Sequence, residues 1–324
     1  MSKRTRVLPV LLSVSWLFVC LPMAVTPMVA NASIYPTVSM KQSNQPTWVS
    51  ESQPDRDDPL PLRKANLKLR IVGDKNNLGY GGGRVMVGTA HAYAIFWEPT
   101  GNVSARYNAL IKRYFRDVGG SPLYQIARQY TQFDGRSPAN AVLAASWVDS
   151  RPYLHSPLLD VDIQREVMRA QRINGWHSSL SNVFFVFTER NRNVCFDGSM
   201  TECTKNGYCA YHSAFGKNTI YAVVPYIASF DCDPYPGPNH DDADQTITAL
   251  SHEQLEAATD PLGDGWIDSE GQEIADKCAD DYGRSDAQGA NVIWNRHLYL
   301  VQKEWDNHTG RCRLTPSFHY DNNK

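Results

Sequence analysis

The segment Ser251-His252-Glu253-Gln254-Leu255-Glu256 places an imidazole and two carboxylates at helical spacing. On a helix, His252 and Glu256 lie one turn apart on the same face. Two such side chains can bind one cation while Glu253 activates a water beside it. This is the ligand arrangement of the HExxH zinc proteases, with a glutamate in place of the second histidine. The same sequence pattern also occurs by chance on solvated surface helices, where its side chains bind no metal.

A tetrahedral zinc site needs a third protein ligand and an open position. Asp276 follows Glu256 by 20 residues, and Glu273 lies one helical turn before Asp276. Either carboxylate can be the third ligand while the other orients His252 from behind, and the sequence leaves both assignments open. His212 is a further candidate, for transition-state stabilisation or metal binding, with a structural histidine beside a disulfide as the alternative.

The nature of this ligand set bears on the identity of the metal. One histidine and two carboxylates largely neutralise a divalent cation, which makes the cation a weaker Lewis acid than in a histidine-rich site. Oxygen-rich ligation also suits Mn²⁺ or Ca²⁺. The likeness of the motif to HExxH predicts Zn²⁺ as the cofactor, and the oxygen-rich ligation keeps Mn²⁺ and Ca²⁺ as alternatives.

The N-terminus has the pattern of an export signal. Basic residues at positions 3, 4 and 6 precede an apolar run over 7–25, and Ala30-Asn31-Ala32 has the small-x-small form of a cleavage site. Pro9 and Pro22 interrupt the run, which disfavours an uncleaved membrane anchor. We predict a signal peptide over 1–32, a secreted protein and no membrane association after cleavage.

The cysteines agree with an extracellular location. After the predicted cleavage site their number is even and all lie in the C-terminal half, which predicts up to three disulfides. No paired CxxC occurs, so a structural zinc site made of cysteines is disfavoured. The disulfide candidates are Cys195, Cys203, Cys209, Cys232, Cys278 and Cys312.

Charge limits the partners of the protein. The chain has a formal net charge of −2 at pH 7, and removal of the basic signal peptide makes it more acidic. Such a protein lacks the positive surface that nucleic-acid binding requires. We therefore expect no nucleic-acid partner, and a peptide or a cell-wall polymer as the partner instead.

Hydrophobic periodicity predicts a single α+β domain over 65–324, preceded by a flexible leader at 33–64 that is rich in Ser, Gln, Pro and Asp. An N-terminal lobe is expected at about 65–180 and a disulfide-rich C-terminal lobe with the metal site at about 181–316. Helices packed on a mixed sheet are expected. Helices are predicted from 102, from 122, over 160–173 and around 247–260, and strands over 67–72, 85–97, 183–187 and 219–226, with a hairpin within 292–305.

Several motifs together resemble the exordium-like, phosphate-induced protein family. They are Cys209-Ala210-Tyr211-His212, Ser251-His252-Glu253-x-x-Glu256-x-x-Thr259-Asp260-Pro261, Glu273-Ile274-Ala275-Asp276-Lys277-Cys278 and Tyr299-Leu300-Val301-Gln302. The likeness is best over 183–312, weaker over 85–180 and absent in the leader. It implies an extracellular protein and a zincin-like core in which His252, Glu253 and Glu256 match the family's histidine-glutamate motif, but it supplies no substrate.

Two functions follow as expectations. The first is a secreted zincin-like metallohydrolase, preferably a peptidase, in which Glu253 activates water and the strand at 219–226 lies at the rim and pairs with extended substrate. The second is a non-catalytic extracellular or cell-wall-associated exordium-like protein that binds carbohydrate or a protein partner.

Overall fold

The computed structural model describes residues 76–232 and 237–317. The predicted signal peptide, the leader and the strand at 67–72 lie outside these residues. Within them, the helices are α1 (Ala105–Asp117), α2 (Pro122–Ile126), α3 (Asp160–Asn174) and α4 (Ala243–Thr259), with 3₁₀ turns at Ala127–Gln129, Ile227–Ser229 and Asp276–Cys278. The strands are β1 (Gly79–Tyr80), β2 (Gly88–Trp97), β3 (Pro138–Asp149), β4 (Leu158–Leu159), β5 (Asn182–Thr188), β6 (Val194–Cys195), β7 (Tyr211–Phe215), β8 (Thr219–Val224), β9 (Trp266–Ile267), β10 (Val292–Trp294), β11 (His297–Tyr299), β12 (Glu304–Asp306) and β13 (Arg311–Arg313).

The central element is a five-stranded mixed sheet with the order β3-β2-β5-β8-β7. The first four strands run parallel, and β7 pairs antiparallel with β8 at the edge. Strand β5 reads as a nearly continuous apolar run, which is typical of a parallel strand buried on both faces. The sheet thus joins strands from both sides of residue 180.

Helices cover both faces of this sheet. Alternate residues of β5 point in opposite directions, so Phe185 and Phe187 pack with α1, α2 and α4 on one face, while Phe184 and Val186 pack with α3 on the other. These two apolar layers form the core. The predicted α+β class with a mixed sheet is confirmed.

Helix α4 carries the HExxE segment through the middle of the larger apolar layer. Nearly all of its residues are buried, which marks a core helix rather than a surface helix with one wet face. It packs against α1, where the hydroxyls of Tyr107 and Thr246 lie 2.6 Å apart. The helix begins at Ala243, and Asp244 in its first turn accepts a hydrogen bond from the Asn239 backbone N–H (2.8 Å).

Three disulfides fix the segments around this helix and confirm the prediction from the cysteine count. They join Cys195 to Cys203, Cys209 to Cys232, and Cys278 to Cys312. The second lies just before β7, and the third holds the 3₁₀ turn that contains Asp276 against β13. No helix among the described residues has the length and apolar character needed to cross a bilayer.

Several elements differ from the expectations. Strand β8 pairs on both sides, so the prediction that 219–226 forms the rim is wrong, and β7 forms that edge instead. The late hairpin is confined to β10 and β11, which turn at Asn295 and Arg296 with φ of 49° and 67°. Strand β12 pairs with β13.

Candidate metal centre

One buried face of α4 gathers the three motif residues. His252, Glu253 and Glu256 are 1%, 1% and 3% exposed, and one donor atom of each lies within 4.8 Å of the others. The spacing of four residues brings His252 Nε2 to 3.0 Å from Glu256 Oε1. The motif therefore lies in the interior and not on a solvated surface.

Asp276 approaches the same nitrogen from another segment. Its Oδ1 lies 3.5 Å from His252 Nε2, and its backbone N–H donates to Glu256 Oε1 (3.2 Å). Nevertheless His252 Nε2 makes no hydrogen bond of acceptable geometry. Ligands at about 2.0–2.1 Å from a tetrahedral zinc lie about 3.3 Å from one another. Separations of 3.0 and 3.5 Å suit atoms that share a cation.

The other ring nitrogen of His252 faces Gln302. The amide Nε2 of Gln302 lies 3.3 Å from His252 Nδ1 and donates to the carbonyl of Ala275 (2.6 Å). Gln302, rather than Asp276 or Glu273, therefore orients the ring from behind. Of the two assignments that the sequence leaves open, this geometry favours Asp276, because its carboxylate lies beside the unpartnered Nε2 of His252.

His212 reaches the same cluster from the edge strand β7. Its Nδ1 lies 3.3 Å from Glu253 Oε2 and 3.6 Å from Glu256 Oε2. Its Nε2 lies 3.2 Å from the carbonyl oxygen of Asp260. The histidine is thus part of the cluster and does not merely pack beside the Cys209–Cys232 disulfide.

Glu273 lies on the far side of His212. Its Oε1 is 3.7 Å from His212 Nε2 and has no hydrogen-bond partner although it is buried. One donor atom each of His212, Glu256 and Glu273 lie within 4.8 Å of one another. Glu273 therefore belongs to a second group of donors that shares Glu256 with the first.

Sequence reasoning assigned no role at the site to Gln302 or Glu304. Glu304, on β12, is 0% exposed, and neither carboxyl oxygen has a partner. Its charge acts on His252, because that imidazole and Glu256 both shift the pKa of Glu304. The signal available in the sequence was the polar run Gln302-Lys303-Glu304, which lies between the mostly apolar residues 298–301 and Trp305.

The two histidines respond to the surrounding acids. Burial acts to lower the pKa of His252, but the carboxylates of Glu256 and Asp276 outweigh it and raise that pKa well above its usual range. For His212, burial likewise lowers the pKa, and Glu273, Glu253 and Glu256 raise it by more. The cluster therefore attracts positive charge.

The pKa values of the acids in the cluster shift in different directions. Burial acts to raise the pKa of Glu256, but the charge of His252 and contacts with His212 lower it below its usual range. Burial raises the pKa of each of the remaining cluster acids, which are Glu253, Asp260, Glu273, Asp276 and Glu304. Carboxylates held this closely without solvent repel one another unless protons or a cation compensate their charge.

These donors fit a divalent cation. Imidazole nitrogen and carboxylate oxygen are ligands that Zn²⁺ and Mn²⁺ accept. The buried Nε2 of His252 and the buried oxygens of Glu304 and Glu273 have no other partner, and uncompensated buried acids are costly. His252, Glu256 and Asp276 form the most compact set around one nitrogen.

Comparison with known proteins gives no functional assignment for this cluster. No protein-family model matches the chain, and no curated protein matches it significantly.

Proposed function

We propose that the protein is a metal-dependent hydrolase with a zincin-like active-site helix, and that it cleaves peptide bonds. The observation that supports this most is the buried Nε2 of His252, which lies 3.0 Å from Glu256 Oε1 and 3.5 Å from Asp276 Oδ1 without a hydrogen bond. His252, Glu256 and Asp276 would hold the cation. When bound, a divalent cation supplies Lewis acidity toward a carbonyl and lowers the pKa of water.

Glu253 has the properties of a general base. It follows His252 directly on α4, and burial raises the pKa of its carboxyl. A raised carboxyl pKa lies closer to neutral pH, where a general base works best. His212 Nδ1 lies 3.3 Å from Glu253 Oε2 and fixes the position of the carboxylate. Glu253 would accept a proton from water, and His212 would stabilise negative charge that develops beside it.

The edge strand supports a peptide as the substrate class. Strand β7 pairs with β8 on one side only, so its other side presents backbone N–H and C=O groups. An extended peptide adds to such an edge by backbone hydrogen bonds. Because His212 lies on β7, a peptide bound there passes next to the cluster.

The burial of the cluster favours a second function. His252 and Glu253 are each 1% exposed, which is typical of a structural ion more than of a site that exchanges substrate. In this case the cation supports the fold of a non-catalytic extracellular protein related to the exordium-like family. Exposed apolar side chains such as Phe133 (68%) and Leu154 (70%) would then contact carbohydrate or a protein partner.

An extracellular location is part of both proposals. The three disulfides are typical of proteins that fold in an oxidising compartment. The predicted signal peptide and the resemblance to the exordium-like family support export as well. N-terminal sequencing of the protein from culture medium tests this, with a mature start at residue 33 as the expected result.

One experiment separates the two functions. The metal content of the purified protein is measured, and cleavage of a mixed peptide pool is followed by mass spectrometry for wild type, Glu253→Gln and the control Glu166→Gln. The hydrolase is expected to cleave in wild type and control, and to lose at least 100-fold in rate with its metal retained in Glu253→Gln. Metal without cleavage in wild type favours the structural ion, and absence of both metal and cleavage favours a non-catalytic binding protein without an ion.

A further inference from the structure

We propose that the buried cluster holds two divalent cations that share Glu256 as a bridging carboxylate, an inference that rests on the proposed metal-dependent function and specifies its metal centre. The first cation contacts His252 and Asp276, and the second contacts His212 and Glu273.

The two oxygens of Glu256 face different imidazoles. Oε1 lies 3.0 Å from His252 Nε2, and Oε2 lies 3.6 Å from His212 Nδ1. The two histidines come from separate elements, α4 and β7. A carboxylate with one oxygen toward each of two donor groups has the geometry of a bridge between ions about 3.5–4 Å apart, as found in two-metal hydrolases.

The second group has its own unpartnered donor. Glu273 is 6% exposed, and its Oε1, the atom that lies 3.7 Å from His212 Nε2, has no hydrogen-bond partner. A buried carboxylate oxygen left without a donor is costly. A cation beside His212 would satisfy it.

Charge also favours a second cation. Six carboxyl groups and two imidazoles meet in the cluster among the described residues, the acids being Glu253, Glu256, Asp260, Glu273, Asp276 and Glu304. A histidine binds a cation only as the neutral imidazole, so the six acids carry up to six negative charges when both rings are ligands. One divalent cation compensates two of these charges and a second one compensates two more, while burial raises the pKa of Glu253, Asp260 and Glu304 and so favours their protonated forms.

The second group is wider than the first. Glu256 Oε2 lies 3.6 Å from His212 Nδ1 and Glu273 Oε1 lies 3.7 Å from His212 Nε2, and one ligand atom of each of the three residues lies within 4.8 Å of the others, against 3.0 and 3.5 Å around His252 Nε2. Longer metal–oxygen bonds, such as those of Mn²⁺ or Ca²⁺, suit wider carboxylate-rich sites. Mn²⁺ is therefore the appropriate probe, because it suits carboxylate and imidazole ligands and is paramagnetic.

The test counts bound Mn²⁺ and measures the distance between the ions. The purified protein is stripped with a chelator, dialysed against Mn²⁺, and analysed for manganese per chain and by electron paramagnetic resonance. Two ions per chain with an exchange-coupled spectrum are expected for wild type. Glu273→Gln and His212→Ala are each expected to bind one ion with the six-line spectrum of isolated Mn²⁺, while Glu166→Gln keeps two.

The outcomes separate this inference from the proposed function. One ion per wild-type chain would overturn the two-ion centre and leave a single-metal hydrolase, with His212 as an imidazolium hydrogen-bonded to Glu253. Two ions without coupling would overturn the Glu256 bridge. No bound ion would remove both the inference and the proposed function. Thermal melts of each variant show whether a lost ion reflects loss of the fold.

Discussion

Gln302 and Asp276 contact opposite nitrogens of the His252 ring. The amide of Gln302 lies at Nδ1 and is anchored by its hydrogen bond to the Ala275 carbonyl (2.6 Å). Asp276 is the next residue after Ala275. A single side chain therefore positions both the imidazole and the segment that carries the third candidate ligand.

Replacing Gln302 by leucine is expected to weaken metal binding by about 10–100-fold, the usual effect of removing a group that orients a ligand. Leucine has a similar size but cannot hold the ring or the Ala275 carbonyl. The dissociation constant is measured by competition with a chromophoric chelator. Gln164→Leu is the control, because Gln164 contacts Asp160 on α3 (2.6 Å). Equal affinity in wild type and Gln302→Leu would contradict the positioning role.

At the scale of residues, only part of the site was accessible from the sequence. His252, Glu253 and Glu256 form a local pattern, since one helix defines their spacing. Gln302 and Glu304 enter from a segment 50 residues away in sequence, and their place depends on how β12 packs beside the 3₁₀ turn. Long-range packing of this kind leaves no periodic signal in the chain.

At the scale of elements, the Cys278–Cys312 disulfide ties the Asp276 turn to β13. It closes a loop of 34 residues, and its loss costs about 3–4 kcal/mol in the chain-entropy account. Because Asp276 is two residues from Cys278, the Cys278→Ser/Cys312→Ser protein is expected to lose metal affinity as well as stability. Both quantities are measured, by chelator competition and by chemical unfolding.

The Cys195–Cys203 disulfide provides the matched control. It closes a loop of only 8 residues, and it lies beside β4 and β6, away from the cluster. The Cys195→Ser/Cys203→Ser protein is expected to lose about 2–3 kcal/mol of stability and to bind metal like wild type. If both double variants bind metal equally, the third disulfide does not position Asp276.

Helix α3 and strand β3 are joined by a buried carboxyl pair with a pH-dependent stability. Asp149 accepts two hydrogen bonds from Arg169 (2.6 and 3.0 Å), and burial together with the charge of Asp149 raises the pKa of Glu166 to about 8. The folded protein keeps a proton that the unfolded chain releases above pH 4.5. Stability therefore falls as pH rises from about 4.5 to about 8.

Glu166→Gln removes this titration while it keeps the size of the side chain. The variant is expected to be more stable than wild type at pH 8, by about 1–2 kcal/mol after solvent screening. The difference is expected to shrink toward pH 5, where wild-type Glu166 stays protonated in the folded state. Thermal melts of both proteins between pH 5 and pH 9 measure this. Parallel curves over the whole range would show that Glu166 keeps its usual pKa.

How well each helix or strand was predicted depends on its amino-acid composition. Strands β5 and β8 are rich in Val, Phe and Tyr and were predicted with nearly their observed limits. Strand β3 was missed, since Ala fills four of its twelve positions and only two positions carry a β-branched residue. Strand β7 was missed as well, because it is a short edge strand whose position depends on pairing with β8. Helix α4 was predicted from its apolar pattern, although burial of nearly all of its residues exceeds the single apolar stripe in the sequence.

At the scale of the whole molecule, the buried acids make the stability of the fold depend on protons or cations that compensate their charge. The chain has nearly balanced acidic and basic residues, 34 against 32, yet the acids of the cluster are withdrawn from solvent. Uncompensated, they oppose folding by mutual repulsion and by loss of hydration. A cation that binds only the folded protein would stabilise it by mass action.

Saturating Mn²⁺ or Zn²⁺ is therefore expected to raise the unfolding temperature. At a free concentration of about 100 times the dissociation constant, the gain is about 2.7 kcal/mol, or about 5–10 °C for a domain of this size. The rise should disappear below about pH 5, because protons compete with the cation for carboxylate and imidazole. Scanning calorimetry with metal, with chelator and at both pH values measures the effect. The Glu256→Gln/Asp276→Asn variant should show little response to metal, and a metal-independent unfolding temperature in wild type would mean that the cluster is neutralised by protons alone.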